Sequence, residues 1–312
     1  MNRRDFIRDA GAFTAALSLP YAVSAETITT AKMATRPIPG TGEELPIVGL
    51  GNSQSFREGD YENSRKLLDI LVENGGSFVD AWGSNQELLG RYMHDREARN
   101  KLFLANNVGP RNSQESDAAI RYAKESQGMA TLDLLQLPNP SDFKKQWRLL
   151  RDAREAGHAR YIGLAIARPN YYKTVEKLLN SGTTDFIQVN YSILETGSGE
   201  RLLPMARDKG VAVVTNRPFV NGQYFPLVKD HELPDWAEDF DCRSWAQFSL
   251  KFILANPAVN CVITETSKPR HAMDNLSAGF GRLPDEQQRA RMKDLMQSLL
   301  DIAQQKPELR SG

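Results

Sequence analysis

The sequence predicts an α/β fold in which eight parallel strands form a (β/α)8 barrel, and three observations support this. Apolar strand-like segments alternate with helix-like segments along most of the chain, as in a parallel sheet. Eight such strand-like segments occur, which is the number that closes a barrel. Residues 78–90 resemble a strand, a glycine turn and a helix, and they leave Asp80 at the carboxyl end of the strand. Chemistry in this architecture is usually placed at that end, although Asp80 is equally explained as a brace for the turn.

The elements are expected in regular order. Residues 36–42 are rich in Pro and Gly and predict a turn before the first barrel strand. Strands are expected near 46–50, 77–80, 102–105, 132–137, 161–165, 185–189, 211–215 and 260–264. Helices are expected near 61–74, 85–95, 113–127, 142–156, 170–180, 200–209, 241–255 and 269–280, with an extra helix near 284–304.

Two local features refine this prediction. Ser84, with Glu87 three residues later, has the spacing of a capping box at the start of a helix. Residues 223–239 contain Pro226 and Pro234 and predict a long loop over the barrel mouth. Loops of that length without secondary structure are more often functional than accidental. No linker or low-complexity tract interrupts the series, so one domain is expected.

Composition excludes several classes of function. The 312 residues carry 39 basic and 39 acidic side chains, so no net charge attracts nucleic acid or an anionic membrane. The four histidines lack metal-ligand spacing, and two cysteines cannot build a structural zinc site alone. We therefore expect no metal and no nucleic acid, and a small polar molecule as the partner.

The amino terminus predicts an export signal. Arg3 and Arg4 precede a weakly apolar run that is too short to span a bilayer permanently, and small residues lead up to Ala25. Paired arginines followed by apolar residues are typical of twin-arginine signals. We expect a twin-arginine signal peptide over residues 1–25 and a single barrel domain over 26–312. The mature protein is then expected in the periplasm, without membrane attachment.

The two cysteines have two interpretations in that compartment. Cys242 and Cys261 are able to pair where the environment is oxidising. Buried or free thiols are favoured, because one residue lies near a predicted helix start and the other in an apolar strand.

Several motifs together resemble the aldo/keto reductases. They are LPIVGLG at 45–51, DAWGSNQELLG at 80–90, LDLLQL at 132–137, YIG at 161–163 and TSKPRH at 266–271 with Asn275. They occur in that family's order and cover nearly the whole chain after residue 40. The resemblance implies a (β/α)8 TIM barrel that binds NADP and reduces carbonyl groups. It also implies that residues 36–42 form a small hairpin that plugs the bottom of the barrel.

The resemblance also implies a catalytic set of Asp, Tyr, Lys and His, in which the tyrosine donates a proton to the carbonyl. Asp80 matches the aspartate, but Trp82 stands for the tyrosine, Asn107 for the lysine and Pro138 for the histidine. An indole N–H does not release a proton near neutral pH, and a neutral amide cannot shift a neighbour's pKa by charge. Losing a general acid costs about 10²–10⁴ in rate, so we expect reductase activity to be atypical or lost.

The resemblance also implies which residues bind the nicotinamide end of NADP. Gln188 matches a residue that binds the carboxamide, and Asn216 occupies the place of a tyrosine that stacks on the ring. Ala165 and Ile166 replace the Ser and Asn that hold the carboxamide in the family. We therefore expect a weakened nicotinamide site.

The site for the phosphate end of NADP resembles the family more closely than the nicotinamide site does. An apolar strand is followed by a helix start, where backbone N–H groups and the helix dipole favour an anion. Lys268, Arg270 and His271 add positive charge suited to a 2′-phosphate, whereas Glu265 opposes it. The predicted phosphate-binding residues are Thr266, Ser267, Lys268, His271 and Asn275.

The residues that follow the strands predict a polar mouth. Asn139, Arg168, Tyr191 and Arg217 are the candidates for ligand contact. Amides with an aromatic wall suit a polyhydroxylated ligand, and arginine suits a carboxylate or phosphate. A polar, solvated rim without a ligand is the alternative.

Three functions are consistent with these features. The first is an NADP-dependent oxidoreductase on a sugar-like carbonyl compound, with Tyr191, Tyr224 or a lid residue as a substitute acid. The second is a periplasmic ligand-binding or accessory pseudoenzyme without hydride transfer. The third is non-redox sugar chemistry, such as elimination or epimerisation, with Asp80 or Glu265 as the base.

Overall fold

The computed structural model describes residues 32–57, 59–108, 113–138 and 143–305. The predicted signal peptide and the candidate residue Asn139 lie outside these ranges. The described chain begins with the predicted hairpin, in which β1 (Thr35–Pro37) pairs antiparallel with β2 (Glu44–Pro46).

Eight parallel strands then close into the predicted barrel. They are β3 (Val48–Leu50), β4 (Phe78–Ala81), β5 (Phe103–Asn107), β6 (Leu132–Pro138), β7 (Ala159–Ala165), β8 (Phe186–Asn190), β9 (Ala212–Asn216) and β10 (Cys261–Thr264). Each strand pairs with the next in chain order, and β10 pairs with β3 to complete the ring. The (β/α)8 TIM barrel is therefore confirmed.

With the exception of the helix at Tyr224–Val228, the helices also lie close to their predicted positions. They are α1 (Tyr61–Glu73), α2 (Asn85–Asp95), α3 (Ser113–Gln127), α4 (Phe143–Glu155), α5 (Tyr172–Ser181), α6 (Gly197–Asp208), α7 (Tyr224–Val228), α8 (Trp245–Leu254), α9 (Pro269–Ser277) and α10 (Glu286–Gln305). The helix α8 begins later than predicted because the Ser244 side chain caps it, accepting a hydrogen bond from the Gln247 backbone N–H.

An apolar cluster closes the amino-terminal end of the barrel. Phe78, Phe103 and Phe186 point inward from three strands, with 5.6 Å between the ring centroids of the first two. Ile38 and Leu45 of the hairpin segment are almost fully buried against them. The hairpin therefore acts as the predicted plug, and the opposite end of the barrel is left for a site.

The predicted loop at 223–239 is wrong in part. This segment contains α7 and the start of a short 3₁₀ helix over Asp235–Phe240. Trp236 and Phe240 pack around Phe248 of α8, with ring centroids 5.8 and 6.4 Å from it. Burial of these rings orders a stretch whose prolines had suggested a loop.

The predicted capping box at the start of α2 does not form. Ser84 has helical backbone angles, φ −60° and ψ −16°, and its side chain makes no capping hydrogen bond. A capping serine normally has an extended backbone, so its hydroxyl is badly placed here. Glu87 instead accepts a hydrogen bond from the Tyr122 hydroxyl of α3 at 3.0 Å.

Both cysteines are buried free thiols, as the sequence favoured. Burial raises the pKa of the Cys242 thiol to about 12. Among the described residues, no helix is long and apolar enough to cross a membrane.

Candidate active site at the barrel mouth

A cavity of about 960 Å³ opens at the carboxyl ends of the strands. It brings together most of the residues that the sequence singled out, although they are far apart along the chain. The predicted residues in its wall are Asp80, Trp82, Asn107, Pro138, Arg168, Gln188, Asn216 and Arg217.

Asp80 forms the most perturbed ionisable group of this cavity. Its side chain is 8 % exposed, and its Oδ1 accepts a hydrogen bond from Asn107 Nδ2 at 2.5 Å. Burial, and to a smaller extent the nearby charge of Glu265, together raise the pKa of Asp80 to about 7, against the lowering effect of hydrogen bonds from Gln188 and Asn107. Asp80 therefore exchanges its proton near neutral pH.

Glu265 occupies the rim where β10 ends. Its carboxylate accepts hydrogen bonds from the hydroxyl and, at 3.4 Å, the backbone N–H of Ser53. A Cβ on Gly51 would lie 2.6 Å from Glu265 Cγ, so only glycine leaves room for this side chain. Gly51 of the first motif thus leaves space for the Glu265 carboxylate beside the cavity.

Three buried amide oxygens around the cavity have no hydrogen-bond partner among the described residues. They belong to Asn107, Gln188 and Asn216. Asn216 is oriented by its Nδ2, which donates to the Ile166 carbonyl at 2.9 Å. An unpartnered buried acceptor costs about 1–3 kcal/mol, so this wall is suited to a ligand that donates hydrogen bonds.

Aromatic side chains supply the apolar part of the wall. Trp82 is 57 % exposed and Phe225 is 41 % exposed, which is high for such large apolar groups. Phe219 packs against Phe225, with 4.9 Å between ring centroids. Exposed aromatic faces beside amides are typical of small-molecule sites.

The two arginines of the mouth are not equivalent. Arg217 binds Glu195 through two nitrogens, at 2.9 and 3.3 Å, so its charge is already compensated. Its backbone has a φ of 56°, which is unusual for a residue with a side chain. Arg168 is exposed, and its side chain has no ion pair within the described ranges. Arg168 is therefore the better candidate for binding an anionic group.

Tyr191 and Tyr224, both considered as substitute acids, do not line the cavity. Tyr191 is buried against Phe252, and its hydroxyl accepts a hydrogen bond from Arg289 at 2.9 Å. Tyr224 is fully buried, and its hydroxyl donates to the Trp245 carbonyl at 2.9 Å. Both rings pack among the outer helices, so the assignment of Tyr191 to the mouth is corrected.

The predicted phosphate end lies next to the cavity wall at the start of α9. Thr266 Oγ1 accepts a hydrogen bond from the Lys268 N–H at 3.1 Å, and the Ser267 carbonyl accepts one from Asn63 at 2.9 Å. Lys268 is exposed and extended, directly before α9. Asn275 is buried on the same helix.

His271 adds less positive charge there than the sequence suggested. Burial lowers its pKa, and the charges of Arg270 and Lys268 lower it further. The imidazole is therefore mostly neutral at neutral pH. The positive charge at this helix start comes from Lys268 and Arg270.

Several cavity residues were missed by the sequence analysis. They come from the segments that follow β3 and β9, including the start of α7, and are Asn52, Ser53, Gln54, Phe219, Asn221, Gly222 and Phe225. Asn52 was detectable, because it is the first polar residue after a predicted strand. Phe219 and Phe225 carried no such signal, since they reach the mouth only through the way the segment after β9 folds. No group of residues able to hold a metal ion occurs in the described part of the chain.

Known proteins share both this fold and this sequence pattern. The model of the aldo/keto reductase family matches residues 47–295. An uncharacterized oxidoreductase of Bacillus subtilis, YqkF, is 24 % identical over 294 residues, covering 80 % of this chain and 92 % of that protein.

Two solved structures have the same architecture. The holo form of an aldo-keto reductase from Bacillus halodurans has a TM-score of 0.69 at 20 % identity, covering 86 % of this chain and 96 % of that one. A Klebsiella pneumoniae aldo/keto reductase in complex with NADP and acetate has a TM-score of 0.72 at 17 % identity, covering 85 % of this chain and 95 % of that one. Because the family model spans most of the sequence, this chain belongs to the aldo/keto reductase family.

Proposed function

We propose that this protein is an NADP-dependent oxidoreductase that reduces the carbonyl group of a small polar compound in the barrel-mouth cavity. The observation that carries the proposal concerns the amide oxygens of Gln188 and Asn216 in the wall of that cavity, which have no hydrogen-bond partner in the part of the chain that the structure describes. They lie in β8 and at the end of β9. The family resemblance assigns both positions to the binding of nicotinamide.

The residues present fit the cofactor at both of its ends. The oxygens of Gln188 and Asn216 suit the N–H groups of a carboxamide. At the other end, the start of α9 with Lys268 and Arg270 suits a phosphate. Glu265 lies on the rim beside it and weakens the binding of an anion. The bound dinucleotide supplies the hydride, and NADP in the Klebsiella structure supports its presence here.

The remaining wall favours a polyhydroxylated substrate. The exposed faces of Trp82 and Phe225 suit the C–H face of a sugar-like ring, while Asn52 and Asn107 suit its hydroxyl groups. Arg168 is placed to bind a carboxylate or phosphate on the same compound.

The proposed chemistry is atypical for the family. Trp82, Asn107 and Pro138 line the cavity beside Asp80. The family resemblance assigns them to the positions of Tyr, Lys and His. Within the described cavity wall there is no tyrosine, lysine or histidine. This observation favours a second candidate, a periplasmic binding or accessory protein without hydride transfer. The raised pKa of Asp80 supports a third, proton transfer without redox chemistry.

NADPH binding separates these candidates. The mature protein, purified from the periplasm, is examined by native mass spectrometry and titrated with NADPH while tryptophan fluorescence is recorded. We expect quenching, because Trp82 lies in the cavity. Absence of a bound dinucleotide and of quenching would reject the oxidoreductase in favour of the binding protein.

Two variants test the phosphate end of the site. Lys268→Ala is expected to weaken NADPH binding about tenfold, the effect of losing one charge-assisted hydrogen bond. Glu265→Gly is expected to strengthen it. Lys293→Ala, on the exposed face of α10, removes the same charge elsewhere and serves as the control.

We also propose that residues 1–25 export the protein to the periplasm by the twin-arginine route. Replacing Arg3 and Arg4 by lysine keeps the charge but removes the arginine pair. Cell fractionation is expected to find this variant in the cytoplasm at full length and the native chain shortened in the periplasm. Equal export of both would contradict the proposal.

A further inference from the structure

The cavity wall holds few groups able to transfer a proton. Its ionisable residues in the described ranges are Asp80, Glu265, Arg168 and Arg217. Arginine stays protonated in proteins and does not serve as a proton donor. The two carboxyl groups are therefore the candidates.

Asp80 and Glu265 occupy different environments. Glu265 is exposed on the rim and is held by Ser53. Asp80 lies at the end of β4, nearly closed off from solvent but still part of the cavity wall. Burial raises the pKa of Asp80 to about 7, near the value at which a group both gives and takes a proton efficiently.

The hydrogen-bond partners of Asp80 accommodate both of its protonation states. Asn107 donates through Nδ2, and Gln188 also hydrogen-bonds the carboxyl group. The oxygens of both amides have no partner among the described residues, so a rotated amide is able to accept from a protonated Asp80. A lysine at the position of Asn107 would only donate, and its charge would hold Asp80 ionised.

The surrounding charges are consistent with this arrangement. Glu265 faces Asp80 from the end of β10 and raises its pKa. The Arg217 charge is compensated by Glu195, and Arg168 is exposed after β7. Among the described residues, none of the side-chain hydrogen bonds and ion pairs of Asp80 is to a cation.

We propose that Asp80 is the catalytic residue that protonates the carbonyl oxygen of the substrate, and that Asn107 is its positioning residue. The inference rests on the proposed function, carbonyl reduction. In the step, the carbonyl carbon receives a hydride from the reduced dinucleotide, and the π electrons move to oxygen. That oxygen takes the proton of Asp80, which leaves an alcohol, an aspartate carboxylate and the oxidised dinucleotide. Water at the cavity mouth then returns a proton to Asp80.

The first test does not depend on turnover. Carboxyl NMR of the mature protein with isotope-labelled aspartate is expected to show one resonance that titrates near neutral pH and is missing in Asp80→Asn. In Asn107→Lys this titration is expected to move to lower pH, and in Glu265→Gln also, because each change favours the ionised form. If every aspartate titrates in the ordinary acidic range, the proposal is overturned.

The second test measures hydride transfer. Mature protein loaded with NADPH is mixed with para-nitrobenzaldehyde or glyceraldehyde, and loss of NADPH absorbance is followed against pH. Asp80→Asn is expected to slow this step about 10²–10⁴-fold while NADPH binding is retained. Asn107→Lys keeps the carboxyl group, and its rate is expected to fall at a lower pH than in the native protein. Asp230→Asn, an exposed aspartate outside the cavity, is the control.

The two proposals fail in different ways. If the native protein does not bind NADPH or transfer hydride, the proposed function fails and this inference with it. If the native protein does both, and Asp80→Asn transfers hydride at the native rate, only the role of Asp80 is rejected. If the pH dependence of hydride transfer does not follow the titration of Asp80, the role of Asp80 is likewise rejected.

Discussion

At the residue scale, Asp80 shows how neighbours determine the chemistry of a side chain. Its carboxyl group is buried at a strand end, and its partners are the neutral amides of Asn107 and Gln188. The same aspartate beside an ammonium group would remain ionised at neutral pH. A neutral amide partner in place of an ammonium group therefore gives an aspartate that titrates near neutral pH instead of one that stays ionised.

The raised pKa of Asp80 predicts how stability depends on pH. The folded state holds a proton that the unfolded chain releases at its ordinary value of 3.8. The stabilisation from this proton is complete below that value and is lost as the pH rises towards about 7. Between about pH 4 and about pH 8, the native protein should lose up to about 4 kcal/mol of unfolding free energy that Asp80→Asn retains.

Urea unfolding of both proteins across this range measures the difference. Asp230→Asn, whose carboxyl group is exposed, should follow the native protein at every pH. A constant difference between native protein and Asp80→Asn would show that Asp80 has an ordinary pKa in the folded state.

At the element scale, helix contacts depend on small residues at particular positions. Gly90 of α2 faces α3, and a Cβ there would lie 1.9 Å from the Ser126 carbonyl oxygen. The two helices therefore approach so closely that only glycine is accommodated. Gly197, the first residue of α6, has no such neighbour, since a Cβ there would meet only a Tyr172 ring atom at 4.0 Å.

This contrast predicts opposite results for the same substitution. Alanine favours helix over glycine by about 1 kcal/mol, so propensity alone would make both variants more stable. Gly197→Ala should be neutral or more stable. Gly90→Ala should lose about 1–3 kcal/mol, because α2 and α3 must separate. Thermal unfolding of the two variants decides, and a stabilised Gly90→Ala would contradict the close contact.

At the scale of the whole molecule, stability and chemistry occupy opposite ends of the barrel. The amino-terminal end is filled by phenylalanine rings and sealed by the hairpin. The carboxyl-terminal end has the polar cavity, where amide oxygens lack a hydrogen-bond partner among the described residues. Changes at one end should therefore leave the other largely unaffected, as in other barrels of this kind.

Phe103 tests this separation. Its ring lies between those of Phe78 and Phe186, with centroids 5.6 and 5.9 Å away. Phe103→Ala should cost about 3–5 kcal/mol of unfolding free energy, as expected for a large buried side chain. The dissociation constant for NADPH should not change. Met273→Ala, at a 40 % exposed position, should change stability by less than about 0.5 kcal/mol. A large loss of NADPH binding in folded Phe103→Ala would show that the two ends are coupled.

The sequence by itself determined the fold class, the order of the elements and most of the residues that meet at the mouth. The reason is physical, because strand and helix periodicity repeat eight times and the carboxyl ends of parallel strands converge on one face. Asp80, Asn107 and Asn216 were found in this way, whereas Gln188 was identified through the family resemblance. Local pattern also gave most strand and helix bounds, apart from the start of α8 and the segment that contains α7.

The tertiary structure decided the features that depend on contacts between distant residues. Tyr191 and Asn107 both lie at the carboxyl end of a strand. Asn107 lines the cavity, whereas Tyr191 packs on the outer helices. The pairing of Arg217 with Glu195, the seating of Glu265 over Gly51 and the ordering of α7 all come from side chains brought together by folding. The burial of Asp80, and with it the raised pKa, is also a property of the closed barrel. Sequence identifies the residue types at a strand end, but only packing determines which of them face the cavity and which charge each one holds.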